Sequence, residues 1–200
     1  MKKLRKWLQN ISVDNMFNFL IKGYPKEIEV DGTNFSIDTD FRTWIGINEA
    51  MLDISLDPNV RAYLIMSVFK KSIPRLETTS IKKVANFLKG PNQEDSKESA
   101  HRKSRYIFSF TYDADYIIGA FQECYGIDLI NIEYLHWWHF LALLNALNSQ
   151  CALKQRMYYR SIRLADIKDK KERNRIRKIQ NAIALPSIEL SDEAIANAFT

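Results

Sequence analysis

The strongest local constraint on the fold is the dipeptide Asp31-Gly32, which lies between two short runs of alternating apolar and polar residues. Asp-Gly is a favoured pair for a two-residue β-hairpin turn, because both turn residues take positive φ angles. This turn pairs Val30 with Thr33. Two residues further from the turn on each strand, Ile28 pairs with Phe35. All four side chains then lie on one face of the hairpin. A lone hairpin is marginally stable, so we predict that this apolar face packs on helices.

The rest of the chain carries apolar residues at helical spacing and few turn-forming residues. Six glycines and five prolines are too few for a many-turned β architecture. Helix starts are predicted at three capping positions: Asp40 or Thr39, Asp57 (which precedes Pro58) and Asp113. The most apolar stretch, Ile132 to Leu147, is predicted to be a central buried helix. The predicted fold class is therefore mainly α, a compact helical domain with a small N-terminal β-hairpin.

The chain divides into three parts: an N-terminal extension (1–18), a helical domain (19–185) and a C-terminal tail (186–200). Within the domain, the polar segment at about 91–105 lacks apolar periodicity and is interpreted as a loop. From Leu153 to Leu185 the spacing is helical and basic, with a break predicted near Ala165-Asp166. One more short helix is predicted from Ser191 to Phe199.

Composition excludes several classes of protein. Hydrophobic residues make up 46% and charged residues 26%, which is typical of a globular chain and not of a disordered one. No apolar run is long enough for a transmembrane helix, so no membrane partner is expected. Cys124 and Cys151 do not form a disulfide framework and are interpreted as small buried hydrophobes in a reducing compartment.

No enzyme motif is present in the sequence. It lacks a phosphate-binding P-loop, a Gly-rich dinucleotide fingerprint, a His-Glu-x-x-His pair and a Gly-x-Ser-x-Gly elbow. These absences weaken an enzymatic interpretation without excluding it, and the expectation is a protein with no enzymatic activity, no catalytic residues and no cofactor.

Three residues suggest a metal-binding hypothesis. Glu133, His136 and His139 are spaced by three residues and would lie on adjacent turns of a helix. A second Glu-x-x-His unit, Glu98 to His101, lies in the polar loop, away from any apolar helix. The favoured interpretation is that the first three residues form a wet or partner-facing stripe, so no metal is expected.

The concentrated charge feature is the basic run Lys168–Lys178, in a chain of formal net charge +5. Nucleic acid could bind there through four residues: Arg173, Arg175, Arg177 and Lys178. Asp169 and Glu172 interrupt the run, however, and Ile176 marks a packed face, so a solvated amphipathic helix or an acidic protein partner fits as well.

Three aromatic residues are candidates for a partner-binding surface: Trp44, Trp138 and Tyr158. An exposed aromatic ring often anchors a protein interface. For the dipeptide Trp137-Trp138, core packing is the favoured interpretation, and an exposed interface anchor is the alternative.

Three segments, taken in order, resemble the bacteriophage "gene product fifteen" family of tailed phages and prophages of Gram-positive hosts. The segments are Gly32–Arg42, Phe110–Phe140 (with Tyr125-Gly126-Ile127-Asp128-Leu129 and His136-Trp137-Trp138-His139), and Ile162-Arg163 with Asp169–Arg173. The resemblance covers roughly 19–185, and residues before Met16 depart from the family pattern.

The resemblance implies a protein of the phage tail-morphogenesis region, near the tape-measure protein. That position is typical of tail assembly chaperones, which keep the helical tape measure soluble until tail-tube subunits polymerise around it. We therefore expect a non-enzymatic tail assembly factor in the host bacterial cytoplasm, binding the tape-measure protein or other tail proteins, with a homo-oligomer as an alternative partner. A basic nucleic-acid-binding or packaging-related module is the alternative function.

Overall fold

The structure, a computed structural model, describes residues 19–53, 55–91 and 107–186. The N-terminal extension (1–18), nearly all of the predicted loop, including Glu98 and His101, and the tail from residue 187 with its predicted helix lie outside the described residues. Among the helices of the described ranges, none is long and apolar enough to cross a membrane.

The described part of the chain consists of a two-stranded hairpin followed by helices, with one helical turn before it. The elements are α1 (Phe19–Lys22), β1 (Glu27–Val30), β2 (Thr33–Ser36), α2 (Phe41–Leu52), α3 (Pro58–Met66), α4 (Thr78–Lys89), α5 (Ala114–Tyr125), α6 (Trp137–Ala146), α7 (Ala152–Ser161) and α8 (Lys170–Ala182). A 3₁₀ turn at Leu164–Asp166 separates α7 from α8, where the sequence predicts a break. The prediction of a mainly α fold with a small N-terminal hairpin is confirmed.

The hairpin forms in the predicted register. Val30 pairs with Thr33, and Ile28 with Phe35, in an antiparallel ladder. The turn residues Asp31 and Gly32 have φ angles of 50° and 77°, the positive values that this turn requires. Ile28 and Val30 are buried, and β1 packs on α4, so helices cover the apolar face of the hairpin as expected.

The predicted caps at the starts of α2 and α3 are confirmed. Asp40 accepts a hydrogen bond from the backbone N–H of Arg42, and Asp57 accepts from Asn59 and Val60. These carboxylates satisfy N–H groups that have no partner within the helix.

The predicted start of the most apolar helix is wrong. α6 begins at Trp137 and not at Ile132, and His136 is its N-cap. The backbone N–H of Trp137 donates to the carbonyl of Thr39 (2.8 Å), and that of Phe41 donates to the carbonyl of Leu135 (2.9 Å). These bonds hold the chain extended up to residue 136, so the helix cannot start earlier.

Aromatic rings from four helices fill the core. Phe140 of α6 stacks between Phe41 of α2 and Phe121 of α5, with centroid distances of 5.0 and 5.1 Å. Trp44 is fully buried, lies 4.4 Å from Phe87 of α4, and donates its indole N–H to the carbonyl of Asp38. The prediction of Trp44 as a partner-facing residue is therefore wrong.

Candidate partner-binding surface

The Trp137-Trp138 pair belongs to the core and not to a surface. The Trp138 indole N–H donates to the carbonyl of Phe87 (2.8 Å), and that of Trp137 donates to the carbonyl of Leu88 (2.9 Å). Carbonyls in the last turn of a helix lack partners within that helix, and the two indoles satisfy those at the end of α4. Trp138 is 8% exposed, so the prediction that it contacts a partner is wrong.

Tyr158 is the aromatic candidate that the structure leaves at the surface, with 61% of the residue exposed. It lies on α7 beside a groove of about 520 Å³ between this helix and the turn that follows α6. The lining residues are Ile107, Asn145, Leu147, Ser149, Lys154, Gln155, Met157, Tyr158 and Ser161. Among the lining residues that the structure describes, Lys154 is the charged one and none carries a carboxylate.

Two polar side chains tie α7 to the other wall of the groove. Lys154 donates to the carbonyl of Asn145 at the end of α6 (3.2 Å), and Gln155 donates to the carbonyl of Ser149 (2.8 Å). Sequence reasoning found Tyr158 as an aromatic residue but missed the remaining groove residues. Leu147 and Met157 match the spacing of ordinary core positions, and their role depends on how α6 and α7 meet.

A buried ion pair fixes α7 against the start of α5. Asp113 is fully buried, and the Arg160 guanidinium donates to both of its carboxylate oxygens at 2.6 and 3.0 Å. Arg156 lies 3.4 Å from the same carboxylate, which also accepts the backbone N–H of Ser109. Asp113 does occupy the N-cap position of α5, as predicted, but its side chain makes no cap hydrogen bond.

The charge state of Asp113 follows from these neighbours. Burial raises the pKa of the carboxyl, but the hydrogen bonds from Arg160 and Ser109 and the charges of Arg160 and Arg156 outweigh it and hold the pKa below its usual value. Asp113 is therefore ionised at neutral pH. The sequence predicted neither arginine in this role, since 47 residues separate Asp113 from Arg160.

The three arginines of the basic helix α8 make different contacts. Arg173 is half-buried and donates to the carbonyls of Ile167 and Lys168, so it holds the preceding turn. Arg175 pairs with Glu172 at 3.2 Å, and Arg177 donates to the side chain of Asn174. Arg175, Arg177 and Lys178 are exposed, and Ile176 is buried. The helix is therefore amphipathic, with a basic outer face.

The three residues of the metal hypothesis do not share a helix. Glu133 lies before α6, His136 is its N-cap and His139 follows within it. The ring of His136 is engaged on both sides: Nδ1 accepts the N–H of Trp138, and Nε2 lies 2.9 Å from the carbonyl of Pro25. Within the described ranges, no group of three or more His, Cys, Asp or Glu side chains is placed to hold a metal ion.

The two cysteines are not joined by a disulfide. Cys151 is buried in the core at the start of α7, and Cys124 is half-buried near the end of α5.

The family model described as Bacteriophage Gp15 protein matches residues 20–185. The chain belongs to this phage protein family. The match covers the hairpin, all the helices from α2 to α8, the groove and the buried ion pair. No curated protein and no solved structure matches the chain. The resemblance seen in the sequence is thus confirmed at the level of the family.

Proposed function

We propose that this phage protein is a non-enzymatic tail assembly factor of the host cytoplasm, a chaperone that binds a helical segment of the tape-measure protein before the tail tube polymerises. The observation that carries the proposal is the groove with the exposed Tyr158, in a chain of a phage family. Apolar grooves between helices commonly bind the apolar face of an amphipathic helix.

The groove has features that suit this kind of binding. The half-buried Ile107 and Met157 provide apolar contact area beside the buried Leu147, and Tyr158 provides an amphipathic ring of the type that dominates many interfaces. Its α7 wall is held by the buried Asp113–Arg160 pair. A wall that is already ordered loses little conformational entropy when a partner binds.

Co-expression with the tape-measure protein tests the proposal. We expect a soluble complex by pull-down and size exclusion only when this protein is present. Tyr158→Ala should weaken the complex by roughly 30-fold or more, the loss expected of an anchor residue that contributes about 2 kcal/mol.

The matched control is Tyr63→Ala on α3, because Tyr63 is also exposed (74%) and is not among the groove residues. It should leave the complex intact. If the tape measure stays insoluble in the presence of this protein, or if both variants weaken the complex equally, the proposal fails.

The charge of α8 favours a second candidate function, nucleic-acid binding. Seven of the eleven residues in Lys168–Lys178 are Lys or Arg and two are Asp or Glu, so this segment alone carries the chain's formal charge of +5. Binding through phosphates would weaken steeply with salt. Arg177→Gln and Lys178→Gln should then reduce DNA affinity and the salt slope together, whereas a flat salt series would eliminate this candidate.

A further inference from the structure

The groove beside Tyr158 lies where the described chain ends. The guanidinium of Arg160 donates through Nη1 to the carbonyl of Ile107 (3.1 Å) and through Nε to the carbonyl of Ile183 (2.7 Å). One planar group therefore holds both backbones next to each other. Ile107 lines the groove, and Pro186 follows three residues after Ile183. The described chain thus ends three residues after a carbonyl that Arg160 holds beside the groove residue Ile107.

The sequence of segment 187–200 complements this groove in charge. It contains Glu189, Asp192 and Glu193 and no Lys or Arg. Within the described residues the groove has the opposite bias, since Lys154 is the charged residue of its lining and no lining residue there carries a carboxylate. Opposite charge on two apolar surfaces favours their pairing and fixes its orientation.

The apolar residues of the segment also have a suitable spacing. Ala194, Ile195, Ala198 and Phe199 recur at intervals of one, three and four residues, the pattern of one face of a helix. A helix over 191–199 would measure roughly 13 Å, and α7, which forms one wall of the groove, measures roughly 15 Å at the same rise per residue.

We propose that segment 187–200 binds in this groove of its own chain, with its apolar face on Met157 and Tyr158 and its carboxylates toward Lys154. The tether gives the segment a high effective concentration, so modest contacts are sufficient for binding. The segment then excludes a partner helix until that helix displaces it. This second consequence rests on the proposed function, whereas the docking itself does not.

Thiol labelling of the full chain tests the docking. Ser161→Cys places a reporter among the groove residues, and Ser72→Cys places a second reporter at an exposed position that does not line the groove. Mass spectrometry reads each site separately from Cys124 and Cys151. The segment is then altered by Ile195→Asp with Phe199→Asp, which removes its large apolar side chains from the helical face.

The matched control is Ala196→Asp with Asn197→Asp, which adds two negative charges to the segment and keeps Ile195 and Phe199. We expect labelling at Ser161→Cys to become several-fold faster in the first variant and to stay unchanged in the control, with Ser72→Cys constant throughout. Equal labelling of the groove reporter in the parent, the variant and the control would overturn the proposal.

A disulfide between Ser161→Cys and Phe199→Cys distinguishes binding within one chain from exchange between two. A cross-linked monomer on a non-reducing gel is the expected product, and a cross-linked dimer would overturn binding within the same chain.

Adding a soluble tape-measure fragment to the Ile195→Asp/Phe199→Asp variant separates the two hypotheses. Renewed protection of the groove reporter supports the proposed function. If the segment protects the groove but the fragment does not, the docking stands and the proposed function fails.

Discussion

The hairpin region and the α5–α7–α8 region are stabilised in different ways. In the hairpin, the key interactions join residues close in sequence, such as Asp31 with Gly32 in the turn and Val30 with Thr33 in the ladder. In the second region, Arg160 of α7 links Asp113 at the start of α5 to Ile183 after α8. Local rules thus determine the first region, whereas a single buried charge pair between distant residues organises the second.

The largest expected effect comes from the buried charge pair. Asp113→Asn keeps the shape of the side chain but removes the charge that compensates Arg160, which is 7% exposed. Removing one partner of a buried ion pair typically costs about 3–5 kcal/mol, because the other charge stays buried without compensation. We expect a loss of this size in the free energy of unfolding, measured by urea denaturation.

An exposed ion pair provides the control for this comparison. Glu172→Gln removes the partner of Arg175, and both side chains are largely accessible to solvent. Such pairs contribute about 0–1 kcal/mol. If Asp113→Asn and Glu172→Gln change the unfolding midpoint by the same small amount, the charge pair does not organise the C-terminal region.

A smaller effect is expected from the hairpin turn. Gly32 has a φ angle of 77°, in the left-handed region, and nothing lies within 4 Å of the position of an added Cβ. Gly32→Ala therefore meets no steric clash, and its cost is conformational, about 1–2 kcal/mol. Urea denaturation should show this loss in the free energy of unfolding.

Gly46 in α2 is the matched control, because an added Cβ there also meets nothing within 4 Å. Since Gly46 is in a helix, Gly46→Ala should stabilise the protein by about 0.5–1 kcal/mol. Opposite signs for the two substitutions would demonstrate that the backbone conformation at the turn, and not side-chain packing, sets the stability of the hairpin. Two changes of the same sign would contradict that interpretation.

The distinction between local and long-range contacts explains how much of the structure the sequence could predict. The hairpin register and the caps at Asp40 and Asp57 each depend on a few neighbouring residues, and all are confirmed. The start of α6 depends on backbone hydrogen bonds to residues 39–41, nearly a hundred positions earlier, and was missed. Periodicity predicts which apolar residues share one face of a helix, but it does not predict which of them another element covers.

Trp44 and Tyr158 illustrate the same limit at the candidate site. Both are aromatic residues on amphipathic helices, yet Trp44 is fully buried and Tyr158 is 61% exposed. The difference arises from tertiary packing: α2 is covered by α4 and α6, while the face of α7 that carries Tyr158 borders the groove. The groove itself requires the relative position of α6 and α7, which no local pattern supplies.

The smallest expected effect concerns His136, which links the start of α6 to the segment before β1. Because Nδ1 accepts the N–H of Trp138, the neutral ring carries its proton on Nε2 and donates it to Pro25, 111 residues earlier. Protonation would place a second hydrogen on Nδ1, opposite that N–H, and would remove the cap of α6. The ring also stacks on Tyr24, so the segment before β1 depends on it.

Burial lowers the pKa of His136 below its usual value of 6.5, the nearby His139 and Lys26 lower it further, and the bond to Pro25 only partly opposes them. Below pH 6.5 the unfolded chain therefore binds more protons than the folded one. The His136 contribution is complete above this pH and decreases as the pH falls toward the folded pKa. The pKa of Asp113 is lowered below its usual value of 3.8, so this carboxyl stays ionised throughout that window.

Urea denaturation at pH 7.5 and pH 5.5 should accordingly show a lower unfolding midpoint at the acidic pH for the parent protein. In His136→Asn, whose side chain retains a capping oxygen but does not titrate, the two midpoints should lie closer together. If the variant keeps the full pH dependence, protonation of His136 does not cause the lower unfolding midpoint at acidic pH. If the dependence disappears, the segment before β1 and α6 are coupled through this one ring, so the locally determined hairpin region still relies on a long-range contact with α6.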